Sequence, residues 1–191
     1  MDKKTIRRNM LKIRNSFSKQ QIQQKSAMMW EHLRQTNQYM QSDIVFTYVS
    51  TNTEAETLPF FEKVWQDGKK IAVPIIEEKR NMNFVYLNTK EELTELKWGI
   101  PEPNREKSTV VVPTEKSLFV VPALAVDSKG NRVGYGGGYY DTYFSKYNSG
   151  FKIGFIFYDQ QMKKIEYLEK TDVALDAVVT EKGVLYQGGI I

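Results

Sequence analysis

The sequence has 191 residues, a formal net charge of +4 and no cysteine, which is typical of one domain and excludes disulfide frameworks and thiolate metal sites. No apolar run is long enough to cross a bilayer, and the first residues lack the apolar stretch of a signal peptide. We therefore expect one domain over residues 1–191, located in the cytoplasm and without a membrane partner.

The first two predicted elements are helices, and the first is strongly basic. Apolar residues recur at helical spacing across Lys3–Phe17, and Ser18 begins the capping box of a second helix. On the polar side of the first helix, Lys4 and Arg8 stand one turn apart. This excess of positive charge favours an anionic partner, although a solvated helix face explains it equally well.

Strands alternate with helices along much of the remaining chain. Pro74, inside the second predicted strand, indicates a sheet edge or a strand end. The alternation predicts an α/β fold, a single-domain three-layer α/β/α arrangement with a mostly parallel central sheet. The predicted strands are Asp43–Ser50, Lys70–Ile76, Met82–Leu87, Val110–Val112, Leu118–Val126, Lys152–Tyr158, Ala177–Thr180 and Val184–Tyr186, and the helices between them are Leu58–Gln66 and Tyr139–Tyr147.

The segment Arg132–Asp141 is the densest signal for a ligand. Its glycines are Gly134, Gly136, Gly137 and Gly138. Such a run suits a loop that bends around a ligand, and the helix that begins at Tyr139 offers unpaired amides to a phosphate. Arg132 could add a bidentate phosphate contact, and the carboxylate of Asp141 is a hard oxygen ligand suited to Mg2+. The spacing fits neither a Walker loop nor a dinucleotide motif, and a tight structural turn is the alternative.

Other polar segments also follow or precede predicted strands. Glu54 and Glu56 lie just beyond the first strand, where ligands gather in open α/β sheets, although a solvated loop fits the same pattern. Trp98 is followed by a glycine and two prolines, in a stiff loop that suits the wall of an aromatic-ligand pocket or a packed surface turn. Asp176 directly precedes a predicted strand and is either a cap or a second oxygen ligand near Asp141.

Several separated motifs give the sequence a likeness to a known family. They are Lys4-x-x-x-Arg8, Glu54-Ala-Glu56-Thr57, Trp98–Pro103, Pro122–Asp127, Arg132–Asp141 and Asp176-Ala-Val. In this order, and over essentially the whole chain, they resemble the 5-formyltetrahydrofolate cyclo-ligases, also called methenyltetrahydrofolate synthetases. The most specific motif is the Gly-Tyr-Tyr-Asp block that ends at Asp141. The chain departs from the family pattern at Val133, where leucine is more usual, and at Thr142, where an arginine commonly follows the aspartate.

The resemblance implies an enzyme that uses ATP and Mg2+ to convert 5-formyltetrahydrofolate to 5,10-methenyltetrahydrofolate, with release of ADP and phosphate. The formyl oxygen would be phosphorylated, and N10 would close the ring. By the same resemblance, Arg132 and Asp141 would be catalytic, and Asp141 with Asp176 would hold Mg2+. The implied ATP-binding residues are Lys4, Arg8, Arg132, Val133, Gly134, Tyr135, Gly136, Gly137, Gly138, Tyr139 and Tyr140. The implied folate-binding residues are Thr51, Glu56 and Tyr139, with Trp98 expected in the pocket wall.

Two other function classes stay open at this point. A sugar-phosphate isomerase or an acyl-CoA transferase-like enzyme could use the glycine segment for a phosphate without hydrolysing ATP. An RNA-binding module could use the basic first helices together with stacking tyrosine and tryptophan side chains. The tyrosines cluster beside the glycine segment rather than among the basic residues, so we expect no nucleic-acid partner. We also expect a monomer.

Overall fold

Five α-helices and twelve β-strands form the described part of the chain, which comprises residues 1–51, 53–77, 80–97 and 99–186 of a computed structural model. The helices are α1 (Lys3–Asn15), α2 (Lys19–Arg34), α3 (Asn37–Gln41), α4 (Phe61–Gln66) and α5 (Tyr139–Lys146). The strands are β1 (Ile44–Thr47), β2 (Lys70–Ile76), β3 (Met82–Leu87), β4 (Glu95–Lys97), β5 (Ile100–Glu102), β6 (Ser117–Pro122), β7 (Ala125–Asp127), β8 (Arg132–Val133), β9 (Phe151–Phe155), β10 (Gln161–Met162), β11 (Ala177–Thr180) and β12 (Gly183–Tyr186).

A seven-stranded sheet forms the centre of the molecule, in the order β12-β11-β9-β6-β1-β2-β3. The inner strands are parallel, because each successive pair from β11 to β2 runs in the same direction. The two outer strands, β12 and β3, are antiparallel to their neighbours. The predicted α/β fold with a mostly parallel central sheet is therefore confirmed.

Helices cover both faces of this sheet, since side chains along each strand alternate between two apolar surfaces. On one face, Val45 packs in the same core as Trp30 of α2 and Phe61 of α4. On the other face, Phe46 packs in the same core as Phe144 of α5. Each large side chain buried in this way contributes about 1.5–3 kcal/mol. Adjacent residues of β1 thus stabilise opposite sides of a three-layer arrangement.

A smaller three-stranded sheet, in the order β10-β7-β8, carries α1. Ile6 and Met10 of α1 are buried in one cluster with Ala125 of β7 and Val133 of β8. Gly134, the first glycine of the segment Arg132–Asp141, directly follows Val133. The apolar stripe of α1 therefore places the basic helix beside these glycines.

The second helix begins where its capping box predicts. The Ser18 hydroxyl accepts from the Gln21 amide at 3.2 Å, and the Gln21 side chain accepts from the Ser18 amide at 2.8 Å. This reciprocal pair satisfies backbone donors that a helix start leaves without partners. Within the described ranges, no helix combines the length and the apolar character needed to cross a membrane.

The shortest strands differ most from the sequence prediction. The predicted strand Leu118–Val126 divides into β6 and β7, and the sequence does not predict β8, β10 or the β4–β5 hairpin. Val110–Val112, predicted as a strand, contributes only an isolated bridge between Val110 and Val85. Segments of two or three residues are too short to show the alternation that identifies a strand.

Pro74 lies inside β2, a strand with neighbours on both sides, rather than at the expected sheet edge or strand end. The pairing of β2 with β1 ends at Ala72, however, so that Pro74 is paired only with Phe84 of β3. A residue without an amide hydrogen fits here because the β1 side no longer requires a sheet hydrogen bond.

Candidate functional site

The chain reverses its path through the sheet between β1 and β6. From β1 it continues to β2 on one side, whereas β6, β9 and β11 follow on the other. In open α/β sheets, ligands bind beyond the carboxyl ends of the strands at such a switch point. The β1 loop, defined as residues 48–51 and 53–57, follows the carboxyl end of β1. The glycine loop, defined as residues 134–138, comes after β6 in the chain by way of β7 and β8 of the smaller sheet.

The glycine loop bends through two residues in the left-handed region. Gly136 has a φ of 104° and Gly138 a φ of 72°, values that residues with a Cβ rarely adopt. Gly138 is also the N-cap of α5, so no side chain caps the first amides of that helix. The ring of Tyr139 lies so close to the loop that a Cβ at Gly137 would come within 2.7 Å of it. The uncapped amides, at the positive end of the helix, can donate to an anionic group.

Arg132 and Asp141, which flank the glycine loop in sequence, form an ion pair. Arg132 Nη2 lies 2.7 Å from Asp141 Oδ1, and the arginine side chain is only 4% exposed. Both residues also bind Val173, since Arg132 Nη1 donates to its carbonyl and Asp141 Oδ1 accepts from its amide at 3.0 Å. The two terminal nitrogens of Arg132 thus have protein acceptors, which a phosphate would have to share or replace.

Asp141 has one carboxylate oxygen available for a cation. Its Oδ2 has no hydrogen-bond partner among the described residues, and the side chain is 25% exposed. Asp176 is oriented by β9, because its Oδ2 accepts from the Lys152 amide at 2.7 Å. In the described ranges, no group of three or more His, Asp or Glu side chains could hold a metal by itself. The available Oδ2 of Asp141 fits Mg2+, which commonly takes one or two carboxylates and completes its shell with phosphates and water. Asp176 lies at the amino end of β11, where the Lys152 amide holds it.

The β1 loop is fixed by hydrogen bonds within the loop and with α2. The Thr57 hydroxyl donates to the Tyr48 carbonyl at 2.7 Å. The Glu56 amide donates to Ser26 Oγ at 2.8 Å, and the Glu56 carbonyl accepts from Trp30 Nε1 at 2.9 Å. The half-buried Glu56 carboxylate, expected to bind substrate, makes no hydrogen bond within the described part of the chain. The backbone of Glu56 is therefore held while its carboxylate is available.

The two loops meet at Tyr135. Its hydroxyl donates to Glu54 Oε1 and accepts from Arg14 Nη1. Glu54 Oε2 in turn accepts from the amide of Thr51 at 3.0 Å and from its hydroxyl at 3.2 Å. Burial, followed by the charge of Glu54, raises the pKa of Tyr135 above its ordinary value, so the hydroxyl keeps its proton at neutral pH. Tyr135 thus links the glycine loop to Thr51, an expected substrate residue, through Glu54.

The tyrosine that follows Tyr139 faces the core. The ring of Tyr140 packs near Phe84 and Phe144, with centroids 6.3 and 5.9 Å away. Its hydroxyl is buried without a hydrogen-bond partner in the described part of the chain, and burial raises its pKa. Leaving a buried hydroxyl unpaired costs about 1–3 kcal/mol. A ligand or water that reached this hydroxyl would gain a hydrogen bond.

The basic helix α1 meets the loops through residues that the sequence analysis does not single out. Lys4 and Arg8, expected to bind phosphate, are exposed and have no ion pair or hydrogen bond from their side chains within the described ranges. Instead, Arg7 Nε donates to a carbonyl of the glycine loop at 2.8 Å, and Arg14 binds Tyr135. Residues 7 and 14 are about two turns apart and share one helix face with the apolar stripe, which is the signal that could have identified them. Trp98, expected in the pocket wall, lies outside the described residues.

Comparisons with known proteins identify relatives over most of the chain. The model of the 5-formyltetrahydrofolate cyclo-ligase family matches residues 1–181. A probable 5-formyltetrahydrofolate cyclo-ligase of Schizosaccharomyces pombe is 35% identical over 69% of this chain and 71% of the relative. The 5-formyltetrahydrofolate cyclo-ligase of Escherichia coli K12 is 29% identical over 71% of this chain and 76% of the relative. The solved structure of Aquifex aeolicus 5,10-methenyltetrahydrofolate synthetase matches with a TM-score of 0.86 at 25% identity, over 100% of this chain and 95% of that one.

Proposed function

The chain belongs to the 5-formyltetrahydrofolate cyclo-ligase family, and we propose that it converts 5-formyltetrahydrofolate to 5,10-methenyltetrahydrofolate in a reaction that consumes ATP and requires Mg2+. The observation that carries this proposal is the meeting of the glycine loop with the β1 loop at the switch point of the sheet, through Tyr135 and Glu54. One loop suits a phosphate, and the other offers carboxylates to a second ligand. An enzyme that joins a nucleotide to a folate needs such a pair of adjacent sites.

The chemistry requires little covalent participation by the protein. The formyl oxygen of the substrate attacks the γ-phosphorus of ATP, ADP leaves, and an iminium phosphate forms at the formyl carbon. N10 then attacks that carbon and loses its proton, and phosphate leaves as the ring closes. The protein aligns the two ligands and stabilises phosphate charge, which is how phosphoryl transfer is generally accelerated. A catalytic cysteine or histidine is not needed, because both nucleophiles belong to the substrate.

We assign the triphosphate to the glycine loop and the start of α5. The uncapped amides after Gly138 would donate to phosphate oxygens, and the closeness of Tyr139 to Gly137 would shape the entrance. Lys4 and Arg8 are exposed on the helix beside the loop, so their ammonium and guanidinium groups are available to a triphosphate. Val133 supports the loop from the core that it shares with α1.

We assign Mg2+ to Asp141 and Asp176. When bound, the ion would offset the negative charge of the phosphates. Asp141 is supported by its available Oδ2, and Arg132 holds the other oxygen of the same carboxylate at 2.7 Å. The contribution of Arg132 that the geometry favours is therefore to orient Asp141 and to add positive charge close to the phosphates.

We assign the folate to the β1 loop, facing the glycine loop. The carboxylate of Glu56 would accept hydrogen bonds from N–H groups of the pterin ring, and Thr51 and the ring of Tyr139 would line the same space. Glu54 is adjacent to this space and is hydrogen-bonded to Tyr135, so a ligand on either loop would affect the position of its side chain. Trp98 remains part of the proposal as a wall of the folate pocket.

The test is an assay for methenyltetrahydrofolate absorbance with purified protein and 5-formyltetrahydrofolate. We expect product with ATP and Mg2+ together, and none when ATP is omitted or when EDTA removes the metal ion. ADP, phosphate and methenyltetrahydrofolate should form in equal amounts. Product without ATP, or ATP hydrolysis without ring closure, would contradict the proposal and favour another phosphate-binding enzyme.

A further inference from the structure

Arg14, near the end of α1, is a buried cation that the proposed chemistry does not use. It is only 5% exposed, and a charged side chain is rarely buried unless its hydrogen bonds are satisfied. Its Nε donates to the Thr53 carbonyl at 3.1 Å, and Nη2 donates to the Thr53 hydroxyl at 3.3 Å. Its Nη1 donates to the hydroxyl of Tyr135. One guanidinium therefore binds the β1 loop and the glycine loop at the same time.

The connection continues beyond Arg14 as a chain of hydrogen bonds. Tyr135, which accepts from Arg14, donates to Glu54, and Glu54 accepts from the amide and hydroxyl of Thr51. The Arg14 guanidinium also stands over the Tyr135 ring, with Cζ 5.6 Å from the ring centroid. Segments about 80 residues apart in sequence are thus held together by side chains, since Tyr135 and Glu54 are 81 positions apart.

A second arginine on the same face of α1, about two turns before Arg14, also holds the glycine loop. Arg7 Nε donates to the Gly134 carbonyl at 2.8 Å. Its guanidinium carbon lies 3.3 Å from the position that a Cβ of Gly136 would take, so the side chain is in close contact with the loop backbone. Because α1 is itself packed on the small sheet through Ile6 and Met10, both arginines are presented by a rigid element.

We propose that Arg14 is a positioning residue that couples the two ligand loops, so that nucleotide bound at the glycine loop raises the affinity of the β1 loop for folate. This inference rests on the proposed function, because it assigns the two loops to ATP and 5-formyltetrahydrofolate. Transfer of a phosphoryl group between two bound molecules requires their reacting atoms to be aligned closely. A planar guanidinium with donors in fixed directions sets the distance between two loops in a way that a lysine ammonium does not. The coupling is reciprocal, so folate would raise the affinity for nucleotide by the same factor.

The experiment compares the wild type with Arg14→Lys, Tyr135→Phe and the double variant. The dissociation constant of 5-formyltetrahydrofolate is measured with and without a non-hydrolysable ATP analogue and Mg2+. We expect the analogue to tighten folate binding to the wild type at least about fivefold, the lower end of typical coupling between sites. Each single variant should reduce this ratio to less than about twofold, and the double variant should reduce it no further, because both changes break the same connection.

Lys12→Gln is the matched control. It removes a positive charge from the same helix at an exposed position whose side chain makes no hydrogen bond or ion pair in the described part of the chain, and it should keep the wild-type ratio. A general loss of charge or of helix stability would affect this variant too. If the wild type shows no coupling, or if Arg14→Lys and Tyr135→Phe keep it, the inference is overturned. Should Arg14→Lys fail to fold, Tyr135→Phe still decides the question, because it removes only a hydroxyl group from a residue that is half exposed as a whole.

Amide hydrogen exchange separates this inference from the proposed function, because it needs no ligand. Arg14→Lys should speed exchange at the hydrogen-bonded amides of Thr51 and Glu54 in the β1 loop at least about tenfold, while α2 remains protected. Unchanged exchange at these two amides would overturn the positioning role even in an active enzyme. Faster exchange in a protein that forms no methenyltetrahydrofolate would support the connection between the loops and remove only the assignment of their ligands.

Discussion

In the ion pair of Arg132 and Asp141, the aspartate has two roles, one structural and one chemical. Asp141 uses Oδ1 to hold Arg132 and the Val173 amide, which leaves Oδ2 for a cation. Removing the whole Asp141 side chain would therefore leave the buried guanidinium of Arg132 without its partner and a metal ion without its ligand. A substitution that keeps the shape of the carboxylate separates the two effects better.

Asp141→Asn should lower Mg2+-dependent turnover at least about tenfold, because a neutral amide is a poor ligand for a hard cation. Its carbonyl oxygen can still accept from Val173, but the loss of charge opposite Arg132 should cost about 1–3 kcal/mol of folding stability. The measurements are kcat over a Mg2+ titration and the melting temperature. Asp43→Asn removes an exposed carboxylate paired with Lys116 and should change neither. Unchanged turnover in Asp141→Asn would remove Asp141 from the metal site.

Two glutamates of the β1 loop should differ in which substrate they affect. Glu56→Gln should raise the KM for 5-formyltetrahydrofolate more than the KM for ATP, because among the described residues its carboxylate makes no hydrogen bond to the glycine loop. Glu54→Gln should raise both, because Glu54 is bonded to Tyr135 of that loop. Steady-state kinetics with each substrate varied in turn measures the split. The opposite pattern would exchange the roles of the two residues.

At the scale of single residues, the sequence predicts those features of the site that an unusual local composition indicates. Closely spaced glycines between Arg132 and Asp141 identify the bend, since few other residues adopt its backbone conformation. The contacts of α1 could not be predicted from charge alone, because lysines and arginines occur on several of its faces and their charges are equivalent in the sequence. The position of Arg7 and Arg14 beside the apolar stripe of Ile6 and Met10 is the signal that they, rather than Lys4 and Arg8, face the loops.

Whole elements are tied together away from the site by a second group of polar contacts. Asp67, just after α4, accepts from Arg34 of α2 through both oxygens at 2.9 Å, and from the hydroxyl of Tyr39 in α3 at 2.7 Å. The pKa of the Asp67 carboxyl is lowered, mainly by the hydrogen bonds from Arg34, against an opposing effect of burial. Three helices on one side of the sheet thus share one carboxylate.

Asp67→Asn should lower the free energy of unfolding by about 1–2 kcal/mol at neutral pH, because a bidentate, partly buried pair is lost. A carboxyl whose pKa is lower in the folded state adds stability above its unfolded value of 3.8, and that stability is lost as the pH falls through the folded value. The difference in stability between variant and wild type should therefore shrink between neutral pH and about pH 2. Denaturant unfolding at several pH values measures it. A difference that stays constant with pH would exclude an electrostatic origin.

Element prediction succeeds where a segment is long enough to repeat its pattern. The capping box at Ser18 places the start of α2 correctly, and β2 and β3 begin and end at the predicted residues. The two-residue strands β8 and β10 form only because neighbours supply partners, and nothing local indicates them. Val110–Val112 has strand composition, but it lies at the edge of the sheet and makes a single bridge.

The order of strands is a property of the whole molecule. The sequence predicts a parallel sheet from alternating elements, but pairing between distant segments has no local signal, so the switch point between β1 and β6 comes from the structure alone. This order brings the β1 loop and the glycine loop together. The candidate site is therefore made of segments that the sequence presents separately, and its integrity depends on the complete fold.

Ligand binding should accordingly stabilise the whole chain and not one segment. A ligand at one hundred times its dissociation constant adds about 2.7 kcal/mol to the folded state, and each kcal/mol raises the melting temperature of a domain of this size by about 2–4 °C. A near-saturating non-hydrolysable ATP analogue with Mg2+ should therefore raise the melting temperature by about 5–10 °C. The analogue with EDTA should give a smaller shift, and Asp141→Asn should remove the difference between the two conditions. A melting temperature that does not change with the analogue would mean that the glycine loop does not bind nucleotide, and its assignment to the triphosphate would have to be abandoned.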